Sequence, residues 1–162
     1  FQAGKLISMS DNFYKNFGSI WERFLSFEIN RSREAIKYFG NANNYFILQT
    51  IAWHNFHILQ KKEGTSKYES LRKQWGASNF DFEKSIQDKL SVLTASQISG
   101  IDKETTRRTV NNLVADKWII YSPSSGIVYS PTESNNQLMI EFNEIVEIPL
   151  FLKLASKIKK LT

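Results

Sequence analysis

Residues 102–118 read Asp-Lys-Glu-Thr-Thr-Arg-Arg-Thr-Val-Asn-Asn-Leu-Val-Ala-Asp-Lys-Trp, a run dense in side chains that make directional hydrogen bonds. At about 100° per residue, Thr106, Val110 and Leu113 fall on one stripe of a helix, and Glu104, Arg108, Asn111 and Ala115 on the opposite one. One face is suited to a core and the other is free. The free face offers a guanidinium, a carboxylate and an amide, the groups that match base edges in a major groove. On this reading Arg108 donates twice to a guanine, Glu104 accepts from a cytosine amine and Asn111 pairs with an adenine. Lys103, Thr105, Arg107 and Asn112 lie at the flanks and suit phosphates. The bland alternative is a solvated helix face.

No other constellation in the chain suggests chemistry. His54 and His57 have a spacing that could clasp a metal, but the chain has only these two His and no Cys, so the shell cannot be completed with the usual ligands. A packed or capping role is expected for both. No nucleophile elbow, phosphate-binding glycine loop or nucleophile–histidine pair occurs. Neither enzyme activity nor a cofactor is expected.

The elements needed to position the 102–118 helix stand on either side of it. Thr94 begins a short helix containing Ser96, Gln97 and Ile98, Gly100 permits a turn, and Asp102 is placed to cap the second helix. Two short helices meeting at a tight turn make a helix-turn-helix. Thr94 and Ser96 of the first helix join the candidate DNA-binding set. Trp118 to Ser122 and Ile127 to Pro131 are β-prone runs joined by Pro123-Ser124-Ser125-Gly126, a hairpin signal. Ser124 and Ser125 are either ordinary turn residues or phosphate contacts.

A helix-turn-helix followed at once by a hairpin resembles the bacterial winged helix-turn-helix regulators. Lys103 to Ile119 looks like the recognition-helix pattern K/R-E-T-V-x-R-x-L-x-x-L-x-x-x-G-L-I of catabolite-activator-like and similar repressor families. The resemblance covers residues 93–131. It implies that Lys103, Glu104 and Arg108 read bases and that Thr105 touches a phosphate; Thr106 stands where the pattern has an aliphatic core residue. Two further departures concern the segment between Gln97 and Asp102, about one turn shorter than the common version, and the wing from Ile119 to Thr132, which has no charged residue. Helices before and after this module also resemble the layout of MarR-type regulators, which implies a homodimer built from terminal helices and a small-molecule effector site.

Elsewhere, helical spacing runs from Asp11, with Ser10 or Asp11 as cap, through Phe13, Phe17, Ile20, Trp21, Phe24 and Leu25 to about Phe39. It breaks at Gly40-Asn41 and resumes from Tyr45 to Gln60, a helix apolar round most of its circumference. Its aromatic residues suit core or dimer packing better than an effector pocket. Lys61 to Asn79 reads as a basic connector with a short helix at Tyr68 to Trp75, and Asp81 as the cap of a helix carrying Phe82, Ile86 and Leu90. Glu133 to Ile148 reads as an acidic amphipathic helix with Leu138, Phe142, Ile145 and Val146 on its apolar side, ended or kinked by Pro149. Phe151, Leu154, Ile158 and Leu161 then recur at helical spacing beside Lys153, Lys157, Lys159 and Lys160, as in a dimer helix with a solvated lysine face.

The expected fold is therefore mainly α with a small β-hairpin wing: a winged helix-turn-helix with N- and C-terminal helical extensions. The expected divisions are N-terminal helices over 1–62, a DNA-binding region over 63–132 and C-terminal helices over 133–162. The 162 residues, 41% hydrophobic and 14% aromatic, exclude a disordered chain, and the formal charge of +5 makes a polyanionic partner plausible. No apolar run approaches the roughly 18 residues of a membrane span, and Phe1 to Ser10 lack the pattern of a secretory leader, so a cytoplasmic protein is expected. Double-stranded DNA and a second copy of the chain are the expected partners, with a small-molecule effector as a further one. A protein-interaction or scaffold module and a plasmid or phage replication initiator are the alternatives. Repeated rather than palindromic target sites would mark the initiator.

Overall fold

The computed structural model describes residues 11–63 and 90–161. The short helix expected at Tyr68 to Trp75, the basic connector beyond residue 63 and the cap at Asp81 lie outside the described residues. The helices are α1 (Phe17–Phe39), α2 (Ala42–Glu63), α3 (Val92–Ser99), α4 (Lys103–Ala115), α5 (Glu133–Glu141) and α6 (Ile148–Leu161), with strands β1 (Ile119–Ser122) and β2 (Gly126–Tyr129) between α4 and α5 and a π-helical segment, Phe142–Glu147, between α5 and α6. The chain is thus mainly helical with one antiparallel hairpin following two short helices. Its described residues form two compact units, one of residues 11–38 and 140–161 and the other of residues 39–63 and 90–139. The second unit holds α2 together with α3, α4 and the hairpin.

In that second unit α2 packs on α3, α4 and β2. Tyr45, Ile47, Leu48 and Ile51 of α2 meet a core completed by Ala95, Val110, Leu113, Trp118 and Ile119. The α2 helix is less enclosed than its composition suggests, because Phe46 and Trp53 remain exposed.

The short helices follow from their caps. Ser91 Oγ accepts from the Thr94 amide at 3.0 Å and starts α3 two residues before the expected Thr94. Gly100 ends α3 in the left-handed region at φ 72°, where a side chain would be strained. Asp102 accepts from the Thr105 amide at 2.9 Å and starts α4. The turn between them is fastened by two hydroxyls that donate to one carbonyl, Ser96 to Ile101 O at 2.6 Å and Thr106 to the same oxygen at 3.3 Å. Thr106, fully buried, therefore fills an aliphatic position while its hydroxyl is satisfied.

The C-terminus of α4 makes a Schellman turn. The Trp118 amide donates to Leu113 O at 2.9 Å and the Lys117 amide to Val114 O at 3.0 Å. This places Lys117 at φ 59°, at the position where the resembled pattern carries glycine. Because a left-handed conformation costs a non-glycine residue about 1–2 kcal/mol and glycine loses part of that advantage through its freer unfolded chain, Lys117→Gly is expected to raise the unfolding free energy by about 1 kcal/mol. A urea midpoint unchanged from the parent protein would contradict this.

The hairpin pairs Ile119 with Tyr129 and Ser122 with Gly126. Leu90 is not helical: it forms an antiparallel bridge with Ile127, whose amide donates to Leu90 O at 2.8 Å. Its apolar side chain, expected on a helix face, is buried instead at the hairpin.

In the first unit α1 runs antiparallel to the C-terminal helical stretch. Asn16 Nδ2 donates to Leu161 O at 3.1 Å, Phe27 meets Phe151 with ring centroids 6.5 Å apart, Arg31 pairs with Glu147 at 2.7 Å, and the Tyr38 hydroxyl donates to Glu141 at 3.0 Å. The helical run continues through Pro149. The preceding π segment shifts the hydrogen-bond register, so that the Ile148 amide donates to Asn143 O, five residues back, and the missing amide of Pro149 falls at the start of α6. No helix among the described residues is long and apolar enough to cross a membrane.

Candidate nucleic-acid interface

The two faces of α4 separate as the 3.6-residue period demands. Thr106, Thr109, Val110 and Leu113 are buried, and Lys103, Glu104, Arg107, Arg108, Asn111 and Asn112 are exposed. Thr109 sits inward because its hydroxyl donates to Thr105 O at 2.9 Å. The helix presenting these side chains is held by its cap, by the Ile101 staple and by the Schellman turn. Asn135 Nδ2 adds bonds to the carbonyls of Asp116 at 2.8 Å and Lys117 at 3.0 Å.

Charges on the exposed face are partly matched within the helix. Arg107 grips Glu104 through two of its guanidinium nitrogens, Nε to Oε2 at 2.9 Å and Nη2 to Oε1 at 2.6 Å. That hydrogen bond holds the Glu104 carboxyl below its ordinary range and raises the Arg107 guanidinium further. With the two side chains 62% and 53% exposed, the pair is screened by water. The Thr105 amide holds the Asp102 carboxyl below the usual carboxylate range, so the cap is charged at neutral pH and sits at the positive end of the α4 dipole. Arg108 is more loosely held, its Nη2 lying 3.4 Å from Thr105 Oγ1.

The remaining candidates lie apart from this face. Ser96 is half-buried and donates its proton to Ile101 O, a fold contact. Thr94 Oγ1 lies 2.9 Å from Ser91 Oγ in the α3 cap. At the hairpin tip Ser122 Oγ is 3.0 Å from Ser124 Oγ and 2.6 Å from Ser125 Oγ, so these hydroxyls are bonded to one another. His57 stacks on Trp53 with centroids 5.4 Å apart. Among the described residues no group of three or more His, Cys, Asp or Glu could hold a metal ion.

Thr105, Arg108, Asn111 and Asn112 line one side of a cleft whose other side is the first turn of α2. Sequence reading treated Gly40-Asn41 only as a break and assigned no role to Asn41, Asn43 or Asn44. The available signal was three asparagines within four residues at a helix start, more than one cap requires. The fold and face define a helix-turn-helix–hairpin unit with a polar, partly cationic second helix turned to solvent. No protein-family model, curated protein sequence or solved structure matches the chain.

Proposed function

We propose that the chain is a sequence-specific double-stranded DNA-binding transcriptional regulator of the bacterial winged helix-turn-helix kind, acting as a homodimer. In this reading α4 enters the major groove and the hairpin serves as the wing. The observation that carries it is the solvent-facing polar side of α4, whose opposite side is anchored in the core of a helix-turn-helix and followed directly by a hairpin. The formal charge of +5 supports a phosphate contribution to affinity. Lys103, Glu104, Arg107 and Asn111 supply groups for base edges and adjoining phosphates. The exposed stripe Phe17, Trp21, Leu25 and Ile29 along α1 supports the second copy, since a free monomer rarely keeps such a row in water.

The test selects duplexes from a random pool and titrates the winning site against salt. Affinity is expected to fall on the order of 10²-fold between 50 and 200 mM salt for about four phosphate contacts, and selected sites are expected to be palindromic. Salt-independent affinity, or no selected duplex, would refute the proposal. A second reading, a protein-interaction module on the same fold, is favoured by the uncharged wing and by that exposed stripe. It predicts that a protein partner, and no duplex, is retained.

A further inference from the structure

Between α1 and α6, within the unit of the terminal helices, lies a groove of about 150 Å³. Three cations line it, Arg23 from α1 and Lys153 and Lys157 from α6, against one carboxylate, Glu22. None of the three makes an ion pair among the described residues, although Glu22 lines the same groove. Neighbouring cations of α1 are matched, Arg31 by Glu147, and Arg33 and Lys37 by Glu34. Like charges gathered without a counter-charge repel one another, so the groove is set for an anion.

The uncharged groups agree. Asn30 lines the groove, and its Oδ1 is already engaged by Arg33 Nη2 at 3.0 Å. Ser26 Oγ receives Asn30 Nδ2 at 3.4 Å, while its own proton has no acceptor among the described residues. The groove therefore offers donors along with positive charge. Phe27, Leu150 and Leu154 complete its walls with apolar surface, which strengthens an ionic contact. It holds about five water volumes, less than the roughly 300–1,000 Å³ of a small-molecule site and enough for one phosphate-sized oxyanion.

The cations continue beyond the groove. Lys153, Lys157 and Lys160 follow one another at four and three residues, forming one exposed row about 10 Å long on a helix without a carboxylate. A single oxyanion meets only part of that row, whereas successive phosphates along a strand match all of it. A lipid surface fits less well, because it needs exposed apolar side chains beside the lysines. Ile148, Phe151 and Leu152, the exposed large apolar residues of α6, lie roughly 100° or more round the helix from the centre of the row. We propose that this groove and row bind the phosphate backbone of a nucleic acid, irrespective of base sequence. The contact goes beyond the base-reading role proposed for α4 and does not rest on it, since it belongs to the other compact unit.

Fluorescence anisotropy of a labelled random-sequence duplex, titrated over a range of salt, compares the full chain with Lys153→Gln/Lys157→Gln. Both positions are exposed, and circular dichroism verifies that the variant is folded. It is expected to bind about tenfold more weakly, as loss of charge-assisted contacts does. Its salt slope is expected to be smaller by about 2, one for each phosphate contact removed, with equal loss on random and selected duplexes. Adding Arg23→Gln lowers the slope by about one more. An unchanged slope in the double variant, or no duplex binding by the parent chain, would overturn the proposal. Retention on phosphatidylglycerol vesicles that the double variant loses, with its duplex slope still at the parent value, would assign the row to a lipid surface and overturn it too. Arg108→Ala separates this contact from the α4 reading. If only the α4 reading fails, no duplex is preferred and Arg108→Ala binds like the parent, while the lysine variant still loses slope. If only the groove contact fails, Arg108→Ala weakens binding to a selected duplex and the lysine variant matches the parent.

Discussion

Leu113→Ala is expected to lower the unfolding free energy of the helix-turn-helix unit by about 3 kcal/mol, within the roughly 2–5 kcal/mol found for buried leucines. Leu113 is fully buried, on the stripe with Thr106 and Val110 through which α4 packs on α2 and α3. Its carbonyl also receives the Trp118 amide in the Schellman turn, so its position is fixed by backbone as well as packing, and the surrounding elements have little freedom to collapse into the space left behind. Val114→Ala is the internal control. One residue further on and 38% exposed, it removes two methyl carbons from water-facing surface and should cost about 0.5 kcal/mol or less. Urea unfolding followed by circular dichroism and tryptophan fluorescence measures both, and an equal loss for the two variants would contradict this account of how α4 is anchored. Because the exposed face of α4 is carried by the buried one, the proposed duplex binding, if it holds for the parent chain, should fail at a lower temperature in Leu113→Ala.

The helix-turn-helix was legible because its signals are local. Asp102 as a cap, Gly100 as a left-handed turn and the two faces of α4 each depend on residues within one or two turns of one another. The hairpin was legible for the same reason, from Pro123 to Gly126 between β-prone runs. Leu90 was misread because an apolar residue at the end of a helical pattern is indistinguishable from one that enters a β-bridge 37 positions away with Ile127, a pairing set by tertiary contact. The partner of each charge was equally hidden: Glu104 and Arg107 were assigned to a base and a phosphate, while a three-residue separation on a helix lets them bond to each other first. The cleft was missed because its two sides, Asn41 to Asn44 and Thr105 to Asn112, are more than 60 residues apart in the chain and meet only when α2 packs on α4.

Phe142→Ala is expected to destabilise the unit formed by the terminal helices by about 3–5 kcal/mol. Phe142 is fully buried, and its ring meets Tyr38 with centroids 5.3 Å apart, beside the Tyr38–Glu141 hydrogen bond. It is also the first residue of the π segment. Continuous α-helical spacing had grouped Leu138, Phe142, Ile145 and Val146 on one apolar side, yet Leu138 is 36% and Ile145 65% exposed. The wider π turn rotates the residues beyond Phe142 out of α register, so the stripe ends there and the inward role passes to Glu147, which reaches Arg31. Phe142 consequently carries packing that a regular helix would have shared among several residues. Ile145→Ala, on the solvent side, should cost about 0.5 kcal/mol or less. Thermal unfolding of the two variants measures the contrast; a comparable loss in both would mean that the apolar stripe continues past the π turn and that Phe142 has no special share in it.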